Sequence, residues 1–107
     1  MLKTTDGKWF DEAASKKFSI GNDVIVYFTR KGSYVIHEID SQDNDLYRVY
    51  LRSDVKNLIE NFVRDLPESS KIRCISNLKK TGSEIEFIQK YVIDPMVAEY
   101  FDADEEI

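Results

Sequence analysis

One histidine, one cysteine and a run of carboxylates are the groups in this chain whose types could support chemistry. His37 stands in Tyr34-Val35-Ile36-His37-Glu38-Ile39, beside Glu38. Adjacent residues of a strand point to opposite faces, so Glu38 cannot orient His37 as a base within one strand, and that task would fall to a carboxylate across a ladder. General-base catalysis also needs a nucleophile and an oxyanion site, and no motif here announces either. Asp40-Ser41-Gln42-Asp43-Asn44-Asp45 gathers three carboxylates, a composition suited to calcium or magnesium. It misses the EF-hand register, because Asp45 stands where Gly is required and Leu51 where Glu is required. Turn formation explains the run more simply, since Asp, Asn and Ser hydrogen-bond their own backbone. Cys74, the only cysteine, lies among alternating apolar residues in Lys71-Ile72-Arg73-Cys74-Ile75 and reads as a small buried hydrophobe rather than a reactive thiol.

Charge is distributed unevenly. The formal net charge is −5, and from Asp94 onward the chain carries Asp94, Glu99, Asp102, Asp104, Glu105 and Glu106 with no Lys or Arg. Such an end either keeps the protein soluble or docks on a basic surface of a partner. Lys71, Arg73, Lys79 and Lys80, with Arg64, form the densest basic area. A nucleic-acid domain is usually basic on balance, and this chain is not, so direct nucleic-acid binding is not expected. Arg30 and Lys31 sit in an Arg30-Lys31-Gly32-Ser33 turn that lacks the repeated glycines of a phosphate cradle, although its two cations can project.

The elements that hold these groups follow from periodicity. Asp6-Gly7 suits the tight turn of a short opening hairpin. Asp11 to Lys17 carries Ala13, Ala14 and, just beyond, Phe18 at helical spacing behind acidic residues, which predicts a short helix. Val24–Thr29, Tyr34–Ile39 and Leu46–Leu51 are rich in β-branched and aromatic residues, which predicts a three-stranded antiparallel meander. From Ser53 the period becomes helical, with Val55, Leu58, Ile59, Phe62 and Val63 on one stripe that should lie across the sheet. Lys71–Ile75 alternates like a further strand. Ser83-Glu84-Ile85-Glu86 has the form of a capping box, and Asp94-Pro95 should restart a helix. The chain thus reads as α+β: one domain over residues 1–107, a single antiparallel sheet formed by the meander and the opening hairpin, covered by helices, with residues 102–107 as an acidic tail. No run is long and apolar enough to span a bilayer, and the first residues lack a secretory pattern, so a soluble, cytoplasmic protein is expected.

The segments DGKWFDEAASKKF, VYFTRKGSYVI and VIDPMVAEYFDADEE together resemble a type of short protein frequent on bacteriophages and other bacterial mobile elements. Tyr27, Thr29, Lys31, Gly32 and Tyr34 match its Y-x-T-[KR]-K-G-x-[YW] hairpin, and the likeness covers about half of the chain. The resemblance implies a mobile-element accessory role and no catalytic residues; anti-CRISPR and other counter-defence proteins are similar in size and acidity. The reading is a non-enzymatic protein-binding module, of the kind that inhibits by occluding a basic nucleic-acid-binding surface of its target. Its partner-binding residues are Tyr34, Tyr47 and Tyr50 as aromatic anchors, with Asp94, Glu99, Asp102, Asp104, Glu105 and Glu106 as an electrostatic docking element. No cofactor, metal ligand or membrane contact is expected. The alternatives are a small metal-assisted hydrolase using His37 with Asp40, Asp43 or Asp45, and a structural protein that self-associates through a strand edge or aromatic patch.

Overall fold

A computed structural model describes residues 1–20 and 24–101. The chain is α+β and divides into two compact units, Met1–Val55 and Lys56–Ile107.

In the first unit β1 (Leu2–Lys3) and β2 (Trp9–Phe10) form the opening hairpin as a two-stranded sheet of its own. A second, four-stranded antiparallel sheet has the order β3 (Lys16–Ile20), β4 (Val24–Phe28), β5 (Tyr34–Ile39), β6 (Asp45–Tyr50). The meander is therefore preceded by one more strand than its sequence suggested. The helix expected over Asp11 to Lys17 shrinks to a 3₁₀ turn at Glu12–Ala14, capped by Asp11, whose carboxylate accepts from Ala13 N at 3.1 Å. Phe18 and Ile20 decide the matter: two residues apart, both 2 % exposed, they are buried at strand period while pairing with Val26 and Val24. That outweighs the weak helical spacing of two alanines.

Three hairpins are closed by one repeated turn. Thr4 N–H donates to Lys8 O (2.8 Å), Thr29 N–H to Ser33 O (2.8 Å) and Asp40 N–H to Asn44 O (3.0 Å), enclosing three residues each time. The third enclosed residue, Gly7, Gly32 or Asp43, has φ of 85°, 85° or 61° and donates back to the first carbonyl at 3.1, 2.9 or 3.1 Å. This is a type I turn followed by a left-handed residue. In each case the first side chain accepts from the closing N–H: Thr4 Oγ1 from Lys8, Thr29 Oγ1 from Ser33, Asp40 Oδ1 from Asn44. The Asp6-Gly7 pair is thus not a two-residue turn, because Gly7 alone takes the positive φ.

The second unit is helical. α1 (Arg52–Arg64) bridges the division between the units and buries Val55, Ile59 and Val63, each 0 % exposed, with Leu58 and Phe62 half-buried. It starts behind Leu51, whose carbonyl accepts from Asp54 and Val55, rather than behind a Ser53 cap. α2 (Glu68–Gly82) takes in the predicted Lys71–Ile75 strand: Lys71, Ile75, Leu78 and Gly82 are buried at helical spacing, and Ile72 is exposed. The expected capping box does not form. Ser83 lies in right-handed helical backbone at the end of α2, and α3 (Glu86–Ile88) begins after Ile85.

α3 runs through a π-helical segment, Gln89–Ile93, into α4 (Asp94–Tyr100), so Asp94-Pro95 does not interrupt the helix. Proline has no N–H, and its ring crowds the carbonyl four residues back. The wider turn, in which Asp94 N–H donates to Gln89 O, accommodates this and lets both Val92 and Ile93 point inward.

Lys71 is 7 % exposed, and its Nζ donates to Arg64 O (2.9 Å) and Leu66 O (3.0 Å) at the end of α1. It therefore does not belong to a basic surface with Arg73, Lys79 and Lys80; it satisfies carbonyls that a helix end leaves without intrahelical partners. Among the described residues no helix is long and apolar enough to cross a membrane.

Two sets of substitutions test this account by urea unfolding. Lys71→Met strands two carbonyls and should cost about 1–3 kcal/mol. A Cβ at Gly32 meets nothing within 4 Å, so Gly32→Ala should cost only the left-handed backbone penalty, about 1 kcal/mol, whereas Asp43→Gly at the matching position should cause no loss.

Candidate binding surface

The turn at Asp40–Asn44 sets which residues of β6 face outward along the sheet plane. Counting from it, Glu38/Leu46, Ile36/Arg48 and Tyr34/Tyr50 exchange backbone hydrogen bonds, whereas Ile39/Asp45, His37/Tyr47 and Val35/Val49 are the close, non-bonded pairs. His37 and Tyr47 use that closeness to stack, with ring centroids 4.6 Å apart and 9° between planes. His37 Nε2 also reaches Asp45 Oδ1 at 2.8 Å. The carboxylate across the ladder is therefore Asp45, and the contact restrains the ring. Asp40 is spent differently: its carboxylate accepts from Asn44 N–H and Gln42 N–H, which hold it below its ordinary pKa. Among the described residues no three His, Cys, Asp or Glu side chains gather as a metal cage.

On the same face as His37 and Tyr47 lies an apolar cluster of Phe10, Tyr27 and Val35, with Leu2, Ile25 and Tyr47 packed around it. Phe10, 6 % exposed, is the plug: its ring stands 5.3 Å from Tyr27 and 6.0 Å from Tyr47. The opening hairpin brings it there, and Thr5 N–H fixes the hairpin by donating to Tyr47 O, on the outer edge of β6, at 2.9 Å. Because Phe10 turns inward, its neighbour Trp9 turns outward and is 63 % exposed. Beside it Val49 is 47 % exposed. Trp9, Phe10, Val35 and Val49 line a groove of about 440 Å³ that is bordered by the Thr29–Ser33 turn.

The opposite face carries Phe18, Ile20, Val26, Tyr34 and Ile36, all buried. Tyr34 is 4 % exposed and packs on Phe28 with centroids 4.9 Å apart, so it is a core residue and not a surface anchor. Tyr47 and Tyr50 are half-buried and lie on opposite faces of β6, which prevents them from forming one patch. Tyr50 donates its hydroxyl to Glu38 Oε1 at 3.0 Å. In the second unit Asp94 and Glu99 are exposed on α4, and Asp94 accepts from Gln89 Nε2. Asp102, Asp104, Glu105 and Glu106 lie outside the described residues. Cys74 is half-buried, and desolvation pushes its thiol pKa up, the direction of an unreactive thiol.

Sequence reasoning passed over Trp9 and Val49. The adjacency of Trp9 and Phe10 signals that one faces in and the other out, but choosing between them requires the packing of the hairpin on the sheet. Comparison with protein-family models, curated proteins and solved structures finds no significant match for this chain.

Burial raises the pKa values of Tyr27, Tyr34, Tyr47 and Tyr50 above 10.0 and of Cys74 above 9.0; for Tyr50 the hydrogen bond to Glu38 adds to the effect. The folded chain then keeps protons that the unfolded chain has released, so stability falls as pH rises. The melting temperature should hold from about pH 7 to about pH 8.5 and decline steadily above about pH 9, and a flat profile up to about pH 11 would contradict the burial of these groups.

Proposed function

We propose that the protein is a non-enzymatic protein-binding module that inhibits its target by occluding a basic nucleic-acid-binding surface, in the manner of phage-borne counter-defence proteins. A cytoplasmic site of action belongs to the same reading. The observation that carries it is the segregation of charge: six carboxylates and no Lys or Arg follow Ile93, and the two of them on α4, Asp94 and Glu99, are both exposed. A single-sign stretch of this kind accelerates encounter with a surface of opposite sign and competes with phosphates for it. The commitments of the other reactive groups support a binding role. His37 is stacked on Tyr47 and hydrogen-bonded to Asp45, Asp40 holds its own turn, and Lys71 holds a helix end.

The test is competition. Purified DNA- or RNA-binding effectors of bacterial defence systems, each loaded with labelled nucleic acid, are titrated with the protein and followed by fluorescence anisotropy. Displacement from at least one effector is expected, with an association rate that drops on the order of tenfold as salt is raised from about 50 to about 300 mM. The variant carrying Asp102→Lys, Asp104→Lys and Glu105→Lys should lose most of that rate while keeping its fold. Displacement unaffected by salt and by the triple reversal would sink the electrostatic reading.

A further inference from the structure

The groove beside Trp9 is apolar at its floor and basic at its rim. Its apolar floor is Trp9, Val35 and Val49, and its ionisable border is Lys8, Arg30 and Lys31 against one carboxylate, Asp11. Asp11 is already occupied, since it accepts from Ala13 N–H to cap the 3₁₀ turn. Arg30 and Lys31 are exposed, and among the described residues neither makes an ion pair; Lys8 is exposed too, with Asp6 as its nearby counter-charge. Local charge is therefore positive on a protein of net charge −5.

We propose that this groove is a docking site for an acidic peptide segment, supplied by a protein partner, that inserts one apolar side chain between Trp9 and Val49 while its carboxylates meet Arg30 and Lys31. Three features carry the assignment. A volume of about 440 Å³ is within the range of roughly 300–1,000 Å³ that ordered ligands fill, and admits an aromatic or branched aliphatic side chain with its backbone. Both walls are held before anything binds. The Thr29–Ser33 turn is closed by two backbone bonds and by the Thr29 hydroxyl, and the opening hairpin is fixed to β6 through Thr5 and Phe10. Rigid walls reduce the ordering cost of association. Finally, the outward side of β6 offers backbone groups: Val49 shares the orientation of Tyr47, whose carbonyl Thr5 already uses, and among the described residues no backbone group bonds to Val49 on that side. An extended segment passing Val49 can take up its N–H and C=O while its side chains address floor and rim, the arrangement by which peptides add to sheet edges.

This site shares no residue with the acidic stretch after Ile93, and its test does not depend on displacement of nucleic acid. Trp9 is the only tryptophan, so its emission reports occupancy directly. The full chain is titrated with the capped peptides Asp-Glu-Phe-Asp-Glu, Asp-Glu-Ala-Asp-Glu and Lys-Lys-Phe-Lys-Lys, and with oligothymidylate. Saturable change is expected with the acidic Phe peptide alone below about 10 mM, weakened at least about tenfold by Arg30→Glu with Lys31→Glu. Those two side chains are exposed at a turn tip, and near-ultraviolet circular dichroism checks that the variant keeps its fold. Absence of saturation with the acidic Phe peptide, or an equal response to the lysine peptide, overturns the proposal. So does saturation that survives the double reversal. A response to oligothymidylate in place of the peptide would reassign the groove to nucleic acid, and Trp9 emission that changes with protein concentration alone would reassign it to a second copy of the chain.

Discussion

The register of β6 against β5 is the constraint on which the candidate binding surface depends. It is set by the Asp40–Asn44 turn, in which Asp43 accepts a left-handed backbone so that Asp40 and Asn44 can exchange hydrogen bonds. A slip of one residue would move Tyr47 and Val49 to the opposite face and put Leu46, Arg48 and Tyr50 in their place. The stack of His37 on Tyr47, its hydrogen bond with Asp45, the bond from Thr5 to Tyr47 and the pairing of Val35 with Val49 all require the observed register. Three hairpins use the same closure, and in each a side-chain oxygen of the first residue accepts the closing N–H. Local chemistry thus secures what the longer-range contacts then exploit.

Two kinds of surface are candidates for recognition. The first unit holds a preformed apolar groove with positive charge at its rim, supported from beneath by Phe10 on Tyr27 and Val35. The second unit holds exposed carboxylates on α4, continued in sequence by the acidic residues after Phe101. Three groups of types that could suit chemistry make structural contacts. His37 is restrained by a ring and a carboxylate, Asp40 by its own loop, and Lys71 by the carbonyls at the end of α1. Ion pairs exposed to water are worth little for stability, so Arg30 and Lys31, which make no ion pair among the described residues, cost the fold little.

Much of the architecture was legible because it rests on local signals. The meander followed from β-branched and aromatic runs, and the stripe of α1 from apolar spacing that the structure buries at Val55, Ile59 and Val63. A turn in the Asp40–Asp45 run followed from residue types alone, and the structure closes it at Asn44 and starts β6 at Asp45. Segments with competing local signals were misread. Lys71–Ile75 alternates like a strand, yet it sits inside a helix where Lys71, Ile75 and Leu78 form the buried stripe. The run from Asp11 to Phe18 mixes alanines with a strand whose partner lies beyond residue 23, and pairing with β4 settled it. Pro95 predicted a break that the π-helical turn made unnecessary.

What the amino-acid sequence determined by itself is the content of this protein: its α+β class, its hairpins, its acidic end, and the lack of company for its single histidine and cysteine along the chain. These follow from side-chain chemistry and from interactions spanning only a few residues. Tertiary structure alone decided which aromatic groups face water. Trp9 and Phe10, Tyr34 and Tyr50 are equally apolar in sequence, but the docking of the opening hairpin and the burial of the face that holds Ile36 place Phe10 and Tyr34 inside and leave Trp9 beside the groove. Strand alternation offers two faces without labelling them, and only contacts between residues distant along the chain choose between the two.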